Sequence, residues 1–142
     1  MTIKTILDGR SGDIFSCTAD MSVSDAVAIL AEKRIGALPV LDGDRVAGIF
    51  SERDVLHCVR EFGAAAMVKP VADVMTADVI AVDTSKSAIG ALSLMTKRRI
   101  RHLPVVEDGQ LVGFVSIGDL VKYRIDKIES EAAAMRDYIN SA

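Results

Sequence analysis

Ser51 and Asp54 stand three residues apart, as do Ser116 and Asp119, and each pair follows an apolar run holding a glycine, Gly48 or Gly113. Serine followed by a carboxylate three residues on, between a strand-like run and a helix-like run, admits two readings. The plainer one is a helix start: the hydroxyl accepts a backbone N–H and the carboxylate favours the positive end of the helix. The chemical one uses the same geometry. Free N–H groups and a hydroxyl at a helix start receive an oxyanion. A carboxylate there can accept two hydrogen bonds from a vicinal diol such as a ribose edge, at roughly 1.5–3 kcal/mol each. Close by in the chain, Arg101 and His102 precede Leu103-Pro104-Val105. A guanidinium suits bidentate phosphate binding, and an imidazole adds pH-dependent charge.

The two Ser-x-x-Asp pairs belong to a longer repetition. An offset of 65 residues aligns Asp8 through Val59 with Asp73 through Arg124 without a gap. Arg34-Ile35 meets Arg99-Ile100, Leu38-Pro39-Val40 meets Leu103-Pro104-Val105, and Gly48 meets Gly113. Such a register marks an internal duplication. At the matching positions Gly36-Ala37 faces Arg101-His102, so the two copies differ there in charge and in side-chain size.

Each copy reads as β-α-β-β-α. Short apolar strands are expected at Ile14 to Cys17 and Val79 to Val82. Ser22 and Ser87 then cap helices whose apolar faces hold Val23, Ala26, Val27 and Leu30, or Ala88, Ala91, Leu92 and Met95. Ser22 with Asp25 forms a loose capping box. Basic residues Lys33-Arg34 and Lys97-Arg98-Arg99 complement the dipole at the helix ends. Hairpins follow around Asp42-Gly43-Asp44 and Asp108-Gly109, with Pro39 and Pro104 expected at an edge or a strand start. Pro70 should open a short helix ending near Met75. The tail from Ile117 to Ala142 reads as one long helix with an apolar stripe through Leu120, Val121, Ile125, Ile128 and Met135, which needs a partner surface.

The bulk composition narrows the field. The chain has 142 residues, half of them hydrophobic, and a net charge of −3. That charge argues against a general nucleic-acid coat, and the few aromatics give "TKRRIRH" little stacking support. Cys17 and Cys58 have no metal-like spacing and read as reduced, partly buried thiols of a cytoplasmic protein. No apolar run reaches the ~18 residues of a membrane span. His57 and His102 fit neither a metal site nor a nucleophile set, and no phosphate loop of the GxxxxGK type appears. The residues therefore indicate a non-enzyme without metal or catalytic cofactor.

The combined pattern resembles a tandem pair of CBS domains, the motif named after cystathionine β-synthase. "IGALPVLDGDRVAGIFSERDV", "IRHLPVVEDGQLVGFVSIGDL" and the lead-in "VADVMTADVIAV" carry the likeness. It implies an α/β (α+β) fold: two pseudo-twofold-related β-α-β-β-α repeats packed as one module, with a long C-terminal helix. The expected divisions are 7–62, a connector 63–75, 76–125 and a tail 126–142. The resemblance further implies two clefts for adenosyl ligands, AMP first, with ADP, ATP, NAD(H) or S-adenosylmethionine as alternatives. One cleft would join Ser116 and Asp119 to Ser11, Ser16, Ile35 and Gly36. The other would join Ser51, Arg53 and Asp54 to Thr76, Ala81, Ile100 and Arg101. His102 would lie between them at a phosphate contact. Val79 and Ile80 would lie on the adenine-facing strand, with strand alternation letting only one face in. The implied function is a regulatory, energy-sensing module acting as a homodimer, with a regulated protein as a further partner. The other reading is a structural dimerisation block with degenerate clefts.

Overall fold

A computed structural model describes residues 1–9 and 14–141 of the chain. The elements run α1 (Ile3–Asp8), β1 (Cys17–Thr18), α2 (Val23–Lys33), β2 (Ala37–Asp42), β3 (Arg45–Ser51) and α3 (Glu52–Phe62). Two 3₁₀ turns, Gly63–Val68 and Val71–Asp73, make the connector. The second copy follows as α4 (Ala88–Arg98), β4 (His102–Glu107), β5 (Gln110–Ser116) and α5 (Ile117–Ser141). Among the described residues no helix is long and apolar enough to cross a membrane.

The serine caps form as read. Asp25 N–H donates to Ser22 Oγ at 3.1 Å, and Gly90 N–H donates to Ser87 Oγ at 2.9 Å. The hairpins close on glycine: Gly43 has φ 63°, and in the second copy both Asp108 (52°) and Gly109 (79°) are left-handed, the backbone that a two-residue turn of primed type demands. Both hairpins carry a register shift at the same place, between Val40 and Leu41 and between Val105 and Val106.

The strand ahead of each first helix is shorter than its apolar run suggests. β1 has two residues, pairing parallel with β2 at Cys17↔Val40 and Thr18↔Leu41. In the second copy only Val82 bridges, to Val105. Pro39 and Pro104 lie inside β2 and β4, not at their starts. Their missing N–H costs little. Pro39 stands opposite Ile49, whose N–H and C=O turn away to Thr76 at 2.9 Å each, so the hairpin ladder asks for no donor at that pair.

The lead-in segments are exchanged between the copies. Ile3 and Ile6 of α1 are buried with Val82, Ala88, Ala91, Met95, Leu103, Val105, Val115 and Leu120, the core of the second copy. Val71 of the connector is buried with Cys17, Val23, Ala26, Leu30, Leu38, Val40 and Phe50, the core of the first. Backbone bonds fix both crossings: Ile3 N–H to Lys86 O and Val23 N–H to Lys69 O, each 2.8 Å. Each half-core is thereby completed by chain from beyond its own β-α-β-β-α unit. That suits units of ~60 residues, which are marginal alone.

Candidate functional site

Where β3 ends and α3 begins, Ser51 is the N-cap of a full capping box. Asp54 N–H donates to Ser51 Oγ at 3.3 Å, and Ser51 N–H donates to Asp54 Oδ2 at 2.9 Å. The pair at the start of α5 repeats this: Asp119 N–H donates to Ser116 Oγ at 3.1 Å, and Ser116 N–H donates to Asp119 Oδ2 at 2.8 Å. The helix-start reading is therefore realised in both copies. It uses one carboxylate oxygen of each aspartate. In the first copy the other oxygen, Asp54 Oδ1, accepts from Thr76 Oγ1 at 3.1 Å. Thr76 reaches it because the connector pairs with β3 at Ile49↔Thr76. Gly48 permits that approach: a Cβ there would stand 2.6 Å from Met75 Sδ and 2.8 Å from Thr76 O.

Asp54 opens onto a cleft of about 540 Å³. Its wall includes Gly36, Ser51, Arg53, Asp54, Thr76, Val79, Ile80, Ile100, Arg101, His102 and Ser116. Thus Ser51, Arg53, Asp54, Thr76, Ile100 and Arg101 line one cavity, while Ala81 is exposed and is not on the wall. Val79 and Ile80 both line it. Strand alternation does not apply because this stretch forms no strand ladder: it follows a bend at Asp78, and Val79 N–H donates back to Ala77 O at 3.0 Å. Sequence reasoning missed Ile49, Glu52, Asp78, Arg98, Arg99 and Ile117.

The second cleft, of about 680 Å³, brings Ile35, Gly36, Ser116 and Asp119 together, with His102 shared between the two. Ser16 is half-buried and does not line it, and Ser11 lies outside the described residues. Leu7, Ile14, Phe15, Arg34, Ala37, Val112, Gly113 and Phe114 complete the wall. Two of the missed residues occupy matching positions. Arg34 and Arg99 are the C-caps of α2 and α4, both left-handed at φ 55° and 54°, and each lines one cleft. Glycine holds that backbone more cheaply. The repeated Arg-Ile dipeptide was visible in the sequence, but as dipole complement rather than as cleft wall.

The difference between Gly36-Ala37 and Arg101-His102 has a steric side. The His102 ring stacks on Phe114 with centroids 5.5 Å apart and planes 9° from parallel. A Cβ at Gly36 would already touch that ring at 3.6–3.7 Å. Any longer side chain at 36 would compete with the imidazole for the space between the clefts. The copies are complementary here, one supplying the ring and the other the room. Burial pushes the His102 pKa below its ordinary 6.5; Asp119 and Glu52 oppose the shift and Arg101 adds to it. Charge is uneven as well. The first cleft is lined by Arg53, Arg98, Arg99 and Arg101 against Glu52, Asp54 and Asp78, the second by Arg34 and Asp119. Among the described residues no group of three or more His, Cys, Asp or Glu side chains converges as a metal site.

The duplicated unit that carries both Ser-x-x-Asp helix starts is matched by a known family. The model of the CBS domain fits residues 10–61 and again 71–126. The chain belongs to the CBS-domain family. It is 36% identical over 147 residues to the mitochondrial CBS domain-containing protein CBSX3 of Arabidopsis thaliana, covering 97% of this chain and 71% of that protein. Among solved CBS structures, CBSX2 in complex with AMP is 29% identical, with a TM-score of 0.71 over 80% of this chain and 89% of that one. The CBS domain pair of protein MJ0100, in complex with 5′-methylthioadenosine and S-adenosyl-L-methionine, is 25% identical, with a TM-score of 0.79 over 89% of this chain and 98% of that one. Those two CBS proteins thus hold adenosyl ligands, and this chain shares their fold as a pair of CBS domains.

Proposed function

We propose that this CBS pair is a non-catalytic sensor of adenine nucleotides, AMP first among them, working as a homodimer in the cytoplasm. One observation carries the reading: the first cleft sets Asp54 at a helix start, the apolar pair Val79 and Ile80, and four arginines around a single cavity. Asp54 accepts the ribose hydroxyls, with Thr76 rotating to share them. Val79 and Ile80 cover the adenine, and Arg101, Arg53 and His102 meet the phosphate. The second cleft, with one arginine beside Asp119, suits an adenosyl group of lower charge. Ligand acts by differential binding: it stabilises one inter-repeat arrangement, and a partner protein reads the change. Exposed Leu56 and Val59 on α3 and Val121 and Ile125 on α5 supply apolar surface for the dimer.

The direct test is thermal unfolding with adenosine, AMP, ADP, ATP, NADH and S-adenosylmethionine. At 100 times Kd a ligand adds about 2.7 kcal/mol, which at this size raises Tm by roughly 5–12 °C. A flat response to the whole panel at millimolar concentration would leave the dimerisation-block reading in its place.

His102 gives the proposal a pH signature. Its pKa in the empty protein lies below 6.5, so the ring is neutral at pH 7. A phosphate beside it favours the imidazolium, and binding takes up a proton. AMP affinity should therefore rise as pH falls through 6.5 toward the lower value of the empty protein, while adenosine affinity stays flat. His102→Gln should remove that slope; the phosphate's own proton, with pKa ~6, affects both proteins alike. The empty protein shows the opposite sign. Its folded state binds the proton less tightly than the unfolded chain, so stability falls as pH drops through the same window. Calorimetry between pH 5.5 and 8, a range set by the imidazole's ordinary pKa of ~6.5, reads both effects; an equal AMP slope in His102→Gln would remove His102 from the phosphate site.

A further inference from the structure

α5 continues well past the core it starts in. Leu120 is fully buried and Tyr123 packs against the second core, but from Ile128 through Ser141 every residue is exposed. The exposed apolar side chains are not scattered. Val121, Ile125, Ile128, Ala132, Met135 and Ile139 follow one another at spacings of 4, 3, 4, 3 and 4. That is a two-position heptad seam, narrower than the stripe of a helix lying on a globular surface. Val121 is 43% exposed, Ile128 50% and Ile139 62%, so the seam grows barer with distance from the core. It spans about 27 Å at 1.5 Å per residue. Tyr123, which faces the core, lies roughly 200° around the helix from Ile125 at 100° per residue, so docking the start of α5 leaves the seam outward.

With Ile125, Ala132 and Ile139 at a and Val121, Ile128 and Met135 at d, the flanking e positions are Lys122, Glu129 and Arg136. The g positions are Arg124, Glu131 and Tyr138. Parallel, in-register helices bring g of one to the following e of the other. Arg124 then meets Glu129 of the second copy, and Glu131 meets Arg136. Both contacts are attractive, and symmetry doubles each. An antiparallel overlap of the same seam sets Lys122 against Arg136 and places Glu129 and Glu131 each against its own counterpart, which repel. We infer that the exposed half of α5 forms a parallel two-stranded coiled coil with α5 of a second copy of this chain. The inference does not depend on what the clefts bind. Glu131 already lies 4.0 Å from Lys127 on its own helix; that pair flanks the seam and yields or shares the carboxylate on assembly. A coil this short is marginal alone and gains from tethering to two folded modules, which raises the effective concentration of the second helix.

The test is oxidative cross-linking of the full chain. Both native cysteines are buried, so an introduced thiol reports alone. Ile128→Cys or Met135→Cys, on the symmetry seam, should convert most of the protein to a covalent dimer. Ser130→Cys and Asp137→Cys, on the outward face, should not. In parallel with this, Arg124→Glu should weaken the dimer about tenfold in Kd, from two lost and two newly repulsive exposed pairs, and adding Glu129→Arg should restore it. Equal cross-linking at outward and seam positions, linking only in an Ile125→Cys/Met135→Cys double variant, or the absence of seam links at micromolar protein would each overturn the parallel coil. So would a charge reversal that the second substitution fails to rescue.

Discussion

Asp54→Asn should weaken adenosine and AMP alike, by about 10- to 100-fold, because the lost charge-assisted bonds are worth roughly 1.5–3 kcal/mol. Arg101→Ala should weaken AMP by a similar factor and leave adenosine nearly untouched. The division follows from the first cleft: Asp54 sits at the helix start where a sugar edge fits, and Arg101 belongs to the cationic wall. Asparagine is the informative replacement, because Asp54 also accepts from Ser51 N–H at 2.9 Å. The amide oxygen can keep that bond and with it the closed capping box, whereas alanine would leave Ser51 N–H without its partner, at a cost of about 1 kcal/mol of stability. Isothermal calorimetry on the two variants with the two ligands decides the matter. Equal losses of adenosine and AMP in Arg101→Ala would contradict the phosphate role. An unchanged adenosine affinity in Asp54→Asn would contradict the diol role.

The second large effect is predicted for a methyl group. Gly48→Ala should destabilise the fold by about 1–3 kcal/mol through overpacking, because the new Cβ meets the backbone oxygen of Thr76 at 2.8 Å. Gly113→Ala, its counterpart in the duplication, should cost clearly less. There the Cβ meets Leu7 Cδ1 at 2.7 Å, the end of a side chain that can change rotamer. Gly48→Ala should also weaken ligand binding, since Thr76 and its 3.1 Å bond to Asp54 must shift. Urea unfolding of both variants, with AMP titration of each, reads the contrast; equal destabilisation would mean that the two glycines serve backbone freedom rather than close approach.

The duplication made much of this legible. Serine caps, glycine turns and apolar faces recur at one offset, and local chemistry settles each of them. The Ser-x-x-Asp pairs were found for the same reason. What stayed hidden depends on distance in space. Ile3 and Ile6 have the same apolar character as Val71 and Val74, and nothing local says which core either segment completes. Val79 and Ile80 looked like alternating strand residues, yet they line one wall together because no ladder imposes alternation there. Arg34 and Arg99 were read as charges at helix ends, since a positive φ cannot be read from an arginine. The loss of Arg-His symmetry at Gly36-Ala37 read as a missing ligand contact; the structure adds that a ring from the other copy fills the space.

The exchanged lead-ins bear on how the chain is made. α1 is synthesised well before its partners, because the surface that buries Ile3 and Ile6 is built from residues as late as Leu120. Until then it trails from the nascent polypeptide with its apolar face in water. Closing that contact spans most of the chain and adds to the long-range pairings that slow folding. It also sets the two cores on different schedules: the first draws on nothing beyond Met75, whereas the second needs α1 and residues up to Leu120 together.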